Sequence, residues 1–341
     1  MRTDSVWSNS NDLTRQRFER ATELTVSGAG SQLLQTFINR TVQQLTLREF
    51  GLQAVLSRKV GSGDAEYVNS RAAGTTGGEW VADSDPATSE VGTYTQASFG
   101  FKTLLTRGKV TRKLQAQGRS YGDILAEVMS SKAEDFANAL EEGMLNGNVK
   151  GAPAAAIPNG FLTQIQSVGS FDMSQCVSIT GASTSVANLS LDKLDEAIDL
   201  VKGSAQRSDL VIVGSFAGIR QVNNILQAQQ RFDNVTEIAA GFRVRTYDGI
   251  PLIISTAMGN AFQFDGTTAG LITDNTGGTG TMLMILNTRY ADLTELTPVT
   301  VMPLAKASSQ YDEFDMYWDG APVLRNTKGG ALLTNLSSVK L

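Results

Sequence analysis

The segment YDEFDMYWDG, residues 311–320, brings three carboxylates together within four residues. Asp312, Glu313 and Asp315 offer the hard oxygen ligands that divalent cations prefer, and paired carboxylates can also carry out hydrolysis. The segment lacks the glycine and the ligand spacing of a calcium loop. The sequence therefore favours a solvated turn here over a metal site or a hydrolytic centre.

Two other side chains could act as nucleophiles. Ser215 follows the apolar run DLVIVG, but its surroundings read G-S-F-A-G rather than G-x-S-x-G, and the chain has no histidine to activate a serine. We therefore expect Ser215 to cap the helix that follows it. Cys176 is the only cysteine, and its apolar neighbours predict a buried thiol rather than a reactive one.

The composition excludes most other kinds of site. A chain of 341 residues without histidine and with one cysteine has no disulfide framework, no zinc site built from cysteine or histidine, and no catalytic group that uses imidazole. The glycine-rich nucleotide-binding motif G-x-x-x-x-G-K-[ST] does not occur. The sequence thus predicts no cofactor, no metal and no enzymatic activity.

Net charge and hydropathy limit the cellular environment and the kinds of partner that we expect for this protein. The net charge is -5, which predicts only loose contact with nucleic acid. No apolar run reaches the roughly 18 residues of a membrane span, and the start of the chain has no charged segment followed by an apolar one. We expect a protein of the cytoplasm, or of a particle built there, without membrane contact.

The elements around these residues begin with a polar stretch, residues 1–30, that resembles an arm. An amphipathic helix and the strand candidate LQAVLSRKV follow. Residues 72–96 then form a long loop that is too polar for a core: it carries one tryptophan, Trp80, and no basic residue. Its four acids are Glu79, Asp83, Asp85 and Glu90.

Three charge blocks of alternating sign follow one another. Residues 72–101 hold four acids and no base, residues 102–119 hold six bases and no acid, and residues 120–142 hold six acids and one base. Each block alone could be a solvated face. Because two of them fall on predicted exposed, extended elements, we interpret them as contacts between copies of the chain. The basic strand block contributes Arg107, Lys109, Arg112 and Lys113.

The rest of the chain indicates an α+β protein. Residues 120–146 have the apolar spacing of one long helix, with a start at Ser120 and Asp123 and a stop at Asn146-Gly147. Beyond the Ala/Pro segment KGAPAAAIPNG, helices and strands alternate as in an α/β lobe. A hairpin is predicted around Asp248-Gly249.

The order of these elements resembles the major capsid proteins of tailed bacteriophages, the Hong Kong 97-type fold. In that family a loop with a Trp-Val pair, here Glu79-Trp80-Val81, precedes a spine helix. The segments NGNVKGAPAAAIPNGFL, YDGIPLIIST and LNTRYADLTELTPVTVMPLA are similar to the family's helix end, hairpin and late strand. The resemblance covers roughly residues 30 to 341.

The resemblance implies a domain order. An N-terminal arm (1–30) is followed by the start of a peripheral domain (31–56), an extended E-loop (57–103), and the rest of that domain with the spine helix (104–158, helix 120–146). An axial α/β domain (159–297) comes next, and residues 298–341 return to the peripheral domain.

The resemblance also implies a function and partners. The protein would be a major capsid protein whose hexamers and pentamers build the icosahedral or prolate shell of the virion around double-stranded DNA, touched without base specificity. Assembly would occur in the host cytoplasm, with a separate scaffolding protein, a portal and in some cases a decoration protein. Because no lysine lies between Val60 and Phe101, cross-linking between subunits is not expected.

Two alternatives stay open. An encapsulin-type compartment has the same fold and would package protein cargo. A hydrolytic enzyme would use the carboxylates of residues 311–320.

Overall fold

The structure is a computed structural model. It describes residues 51–71, 80, 82–83, 93–118, 124–147, 156–166, 175–180, 185–228, 235–238, 242–258, 262–264, 272–274, 280–304 and 310–338. The chain divides into two compact units, Met1–Leu45 with Gly118–Gly122, and Thr46–Gln117 with Asp123–Leu341. The fold described below is that of the second unit. The predicted arm, the first amphipathic helix and the helix start at Ser120 and Asp123 lie outside the described residues.

Fifteen strands and five α-helices are described. The strands are β1 (Ser57–Val60), β2 (Ala65–Arg71), β3 (Tyr94–Gly100), β4 (Lys102–Thr111), β5 (Cys176–Ser178), β6 (Leu210–Gly214), β7 (Val235–Ile238), β8 (Phe242–Tyr247), β9 (Ile250–Ile254), β10 (Phe262–Phe264), β11 (Ile272–Asp274), β12 (Gly280–Asn287), β13 (Ala291–Pro303), β14 (Tyr311–Leu324) and β15 (Gly330–Ser337). The helices are α1 (Arg112–Gly118), α2 (Ile124–Leu145), α3 (Phe161–Gln166), α4 (Leu191–Leu200) and α5 (Phe216–Ala228). Short 3-10 helices lie at Leu52–Ala54, Arg207–Asp209 and Thr327–Gly329.

A mixed seven-stranded sheet has the order β5-β15-β12-β6-β9-β8-β7. Its central strands β6 and β12 are buried along their whole length, which matches their continuous apolar runs. Helices α4 and α5 pack on one face through Leu194, Ile198 and Val222. The Ser215 hydroxyl accepts a hydrogen bond from the Gly218 amide, so the prediction of a helix cap is confirmed.

A second sheet has four strands in the order β1-β13-β14-β4. It shares a core with the spine helix α2, which buries Phe136, Leu140 and Met144, and with the other face of the seven-stranded sheet. The predicted end of the spine helix at Asn146-Gly147 is confirmed: Gly147 has a positive φ of 50°. Hairpin β8–β9 is confirmed as well, with positive φ at both turn residues, Asp248 and Gly249.

The strand pairing differs from the predicted domain order at two places. Strand β15 pairs with β12 and β5 in the seven-stranded sheet, so residues 330–337 do not join the four-stranded sheet with the rest of 298–341. Strand β1 pairs with β13, so the first residues of the predicted E-loop, 57–60, belong to the four-stranded sheet. The domain division as a whole stays a prediction. Among the described helices none is long and apolar enough to cross a membrane.

Candidate assembly surface

Beyond β1, the main described element of the E-loop is a two-stranded antiparallel hairpin. Strands β2 and β3 pair over their full length, from Ala65 opposite Gly100 to Arg71 opposite Tyr94. Nearly all side chains of β3 are exposed, and cross-strand contacts are polar, such as that between the hydroxyls of Ser70 and Thr95 at 2.6 Å. A lone hairpin is at best marginally stable in water. The ribbon therefore has two faces that the described part of its own subunit leaves largely open to solvent.

An ionic network fixes the base of this hairpin. Asp292, with a side chain 1% exposed, accepts from Arg325 Nε and from Lys59 Nζ, both at 2.6 Å. Arg325 also reaches Glu66 of β2 at 3.1 Å. Hydrogen bonding to Asp292 is the main reason that the pKa of Arg325 is raised. The network ties the hairpin to the four-stranded sheet, because Arg325 bridges Glu66 of β2 and Asp292 of β13, and the buried Asp292 carboxylate must stay paired.

Beside this network, Glu295 of β13 receives two donors. Arg58 Nη1 lies 2.6 Å from its Oε1, and Trp318 Nε1 donates to the same atom at 3.0 Å. The Phe101 amide donates to the Asp64 carbonyl at 3.2 Å and closes the ribbon. These contacts fix the position at which the hairpin extends from the four-stranded sheet.

Strands β4 and β14 carry opposite charges directly across from each other. Arg107 forms a bidentate pair with Asp315, at 2.7 and 2.8 Å. Lys109 lies 3.4 Å from Glu313, and its ammonium sits 3.3 Å from the centre of the Tyr311 ring. The hydrogen bonds within the bidentate pair lower the pKa of Asp315 and raise that of Arg107. These charges stabilise the sheet of their own subunit.

This pairing corrects two predictions. Residues 311–320 form part of a long strand and not a solvated turn, and Glu313 and Asp315 of this strand face the bases Lys109 and Arg107 of β4. The basic block is not all strand either, since Arg112 and Lys113 begin helix α1. Within the part of the chain that the structure describes, no group of three histidine, cysteine or acidic side chains is placed to hold a metal ion.

Of the predicted E-loop contact residues, two are described. Trp80 is fully exposed, and Asp83 is exposed as well. Glu79, Asp85 and Glu90 lie outside the described residues. None of the described contacts brings Trp80 or Asp83 to the basic residues of β4 and α1. The contact between the two sets stays a prediction.

A further exposed strip runs along β13. Strand β1 covers the outer edge of β13 only as far as Glu295. The remainder, Leu296–Pro303, is uncharged, and in the described structure its outer edge has no partner strand. Leu296, Val299, Val301 and Met302 are exposed along it. Proteins normally protect such edges with charges or cover them, so this strip is a candidate for contact with another chain.

A cavity of about 450 Å³ opens beside the C-terminal end of the spine helix. Its walls come from α2, β4, β14 and residues 156–158, and they are mostly apolar. Lys102 and Glu142 are its charged lining residues. The floor is tightly built: a Cβ at Gly147 would overlap the backbone of Pro158 and Gly160.

A buried carboxyl joins the spine helix to the seven-stranded sheet. Glu141 is 0% exposed, and its Oε1 accepts from the Ser255 hydroxyl at 2.6 Å, just after β9. Its Oε2 has no hydrogen-bond partner of normal geometry. Burial raises the pKa of Glu141 to about 7, against the opposing effect of hydrogen bonds from Ser255 and from the amides of Leu52 and Gln53. One turn further, Asn146 Nδ2 donates to the Ala257 carbonyl at 2.7 Å.

Sequence reasoning missed Glu141 and the network around Asp292. The helical spacing could have indicated that Glu141 is buried. It lies three residues before Met144 and four before Leu145, on the apolar stripe of the spine helix. No local signal marks Asp292, whose partners Lys59 and Arg325 lie 233 and 33 residues away along the chain. Cys176 is half-buried rather than fully buried, because β5 is an edge strand.

The family model described as "Phage capsid family" matches residues 30–273, which is more than half of the chain. The chain belongs to the phage capsid family. No curated protein matches it by sequence. The predicted recognition is therefore confirmed.

Solved structures with the same fold include shells of several kinds. The capsid of cyanophage A-1(L) aligns with a TM-score of 0.66 at 11% identity, over 90% of this chain and 98% of that one. The capsid of an empty GTA particle aligns at 0.62 and 16% identity, over 92% and 98%. The SrpI encapsulin of Synechococcus elongatus PCC 7942 aligns at 0.62 and 13% identity, over 92% and 96%. At these identities the likeness establishes the fold, and the predicted capsid fold class is confirmed.

Proposed function

We propose that this phage capsid family member is the major capsid protein of a tailed double-stranded DNA phage. Its copies would form the hexamers and pentamers of an icosahedral or prolate shell, and the subunit would act without catalysis. The observation that carries the proposal is hairpin β2–β3, tied at its base by the ion pair of Glu66 with Arg325, which also pairs with the buried Asp292, and largely exposed on both faces beyond it. Because the chain belongs to the phage capsid family, we interpret this exposed hairpin as a contact surface for neighbouring subunits.

An exposed ribbon has a conformational-entropy cost that its own subunit does not offset. Ordering each residue costs about 1 to 2 kcal/mol of backbone entropy, and a ribbon with few buried apolar groups does not recover that cost within its own subunit. A neighbour that covers the ribbon would recover it. The uncharged edge of β13 from Leu296 to Pro303 offers a second surface of this kind. Obligate shell contacts of this sort bury more than about 2,000 Å² per interface.

The basic residues of β4 that were predicted to contact a neighbour's E-loop already have partners in their own subunit. Arg107 and Lys109 already pair with Asp315 and Glu313 of their own subunit, although their side chains stay about half exposed. A neighbour's E-loop acids would therefore meet a partly neutralised surface at β4. Lys113, at the start of α1, adds positive charge beyond the paired strands.

The other proposed partners are inferred from the shell function, and no contact in the described structure identifies them. We propose a separate scaffolding protein, a portal, and a decoration protein in some particles, with assembly in the host cytoplasm. Packaged DNA would touch the inner surface without base readout, because a subunit of net charge -5 offers few partners for phosphates.

Electron microscopy combined with velocity sedimentation tests this function. The purified protein should form pentamers, hexamers or closed shells, and the population should shift with concentration. A monomer that persists across a wide range of protein and salt concentration would contradict the proposal.

An encapsulin-type compartment is the second candidate, favoured by the encapsulin's alignment over 92% of this chain. Particles isolated from the native source separate the two. Double-stranded DNA inside them would support the phage capsid, whereas a single co-purified enzyme cargo would support the compartment.

A further inference from the structure

The cavity beside the spine helix is unusual because it is apolar and its described walls are firmly held. Leu104, Leu140, Met144, Ile157, Pro158 and Trp318 line it. Trp318 is nearly fully buried and is fixed by its hydrogen bond to Glu295. Ligand sites of this volume are typically preformed, apolar, and equipped with a few polar groups at the edge.

The same chain presents a side chain of matching chemistry. Trp80 is fully exposed, so it does not occupy the cavity of its own subunit. An exposed tryptophan is the kind of anchor that interfaces bury in a pocket. A cavity of about 450 Å³ accommodates one aromatic side chain with part of its backbone.

Charge favours a second copy of this chain as the occupant. Residues 72–101, which include Trp80, hold four acids and no base, and Lys102 lines the cavity. A lysine ammonium near an indole face is attracted to the ring, and the same charge attracts acids that flank the indole.

We propose that Trp80 of one subunit inserts into the cavity formed by α2, β4, β14 and residues 156–158 of a neighbouring subunit. The inference rests on the proposed shell function, and it adds the site at which the E-loop is held.

Gly143 provides a way to fill the cavity without disturbing the subunit. It lies in the last turns of α2 and lines the cavity, and a Cβ there would meet only Pro158 Cγ, at 3.9 Å. In a helix a leucine is also more favourable than a glycine. Gly143→Leu should therefore fold normally and weaken shell assembly at least tenfold in critical concentration. Trp80→Ala should give a similar loss, and the double variant should be no worse than either single variant.

A cross-linking experiment tests the contact directly. In a Cys176→Ser background, Trp80→Cys and Gly143→Cys are combined, and assembled particles are treated with a short bismaleimide reagent. A ladder of covalently linked subunits on a denaturing gel is expected. The matched control replaces Gly143→Cys by Glu127→Cys, exposed near the start of the same helix, and should stay a single band.

Each other outcome overturns the proposal. A monomer of altered mobility would mean that the loop folds onto its own subunit. Cross-linking equal to that of the control, or full additivity of Trp80→Ala and Gly143→Leu, would mean that the cavity has another occupant. Microscopy of the same sample keeps the two proposals apart, because normal shells without specific cross-links would contradict only this one.

Discussion

Replacing Glu141 with glutamine should make the subunit less sensitive to alkaline pH. The wild-type carboxyl has a pKa of about 7 in the folded chain against an ordinary value of 4.5. Because the folded pKa is the higher one, protonated Glu141 contributes stability that is fully present below about pH 4.5. That stability is lost as the pH rises through 7.

The magnitude follows from the two values. A difference from 4.5 to about 7 corresponds to about 3 kcal/mol at most, and about 2 kcal/mol of it falls between pH 5.5 and pH 8. The isosteric glutamine side chain keeps an oxygen that can accept from the Ser255 hydroxyl, and it carries no charge at any of these pH values. Glu141→Gln should therefore gain about 2 kcal/mol relative to wild type on going from pH 5.5 to pH 8.

Urea unfolding of unassembled subunits at both pH values measures this change, with reversibility checked by refolding. Glu127→Gln serves as the matched control, because Glu127 lies exposed on the same helix. Its stability should follow that of wild type within about 0.5 kcal/mol at both pH values. If Glu141→Gln also follows wild type in parallel, Glu141 does not lose stability on ionisation and the reasoning fails.

Three further predictions address the hairpin, the four-stranded sheet and the covalent state. Joining Arg71 to Tyr94 by a short Gly/Ser turn, without residues 72–93, should leave circular dichroism near native and abolish closed shells, and normal shells would show that the E-loop is dispensable. Gly108→Ala should cost about 1 to 3 kcal/mol in thermal unfolding, because the new methyl group would overlap the Phe314 ring opposite, whereas Gly100→Ala should cost little because a Cβ there meets nothing within 4 Å. Denaturing gels of particles should show one band near 36.4 kDa, since no lysine lies between Val60 and Phe101 and Lys59, at the base of the loop, is held by Asp292, and a covalent ladder would contradict this.

Local patterns predicted the local parts of the fold. The apolar spacing of the spine helix and the Asp248-Gly249 turn depend on neighbours within a few residues, and both were confirmed. The family resemblance supplied the order of elements and was confirmed by the family match.

The sequence patterns do not show which distant segments pair with each other. Arg107 and Asp315 are 208 residues apart, so a basic block that appeared unpaired along the chain has its partners on β14. Long-range pairing also decides the place of β15. Its apolar run fits either sheet, and it joins the seven-stranded sheet by pairing with β12. The cavity beside the spine helix was equally invisible in the sequence, because it is formed by four separated segments.

A cryo-electron microscopy reconstruction of assembled particles tests the central claim most directly. The expected result is a closed shell whose subunits contain the two sheets and the spine helix, with hairpin Ala65–Gly100 of each subunit lying on a neighbour. Particles without a closed lattice, or a lattice in which each hairpin packs against its own subunit, would contradict it.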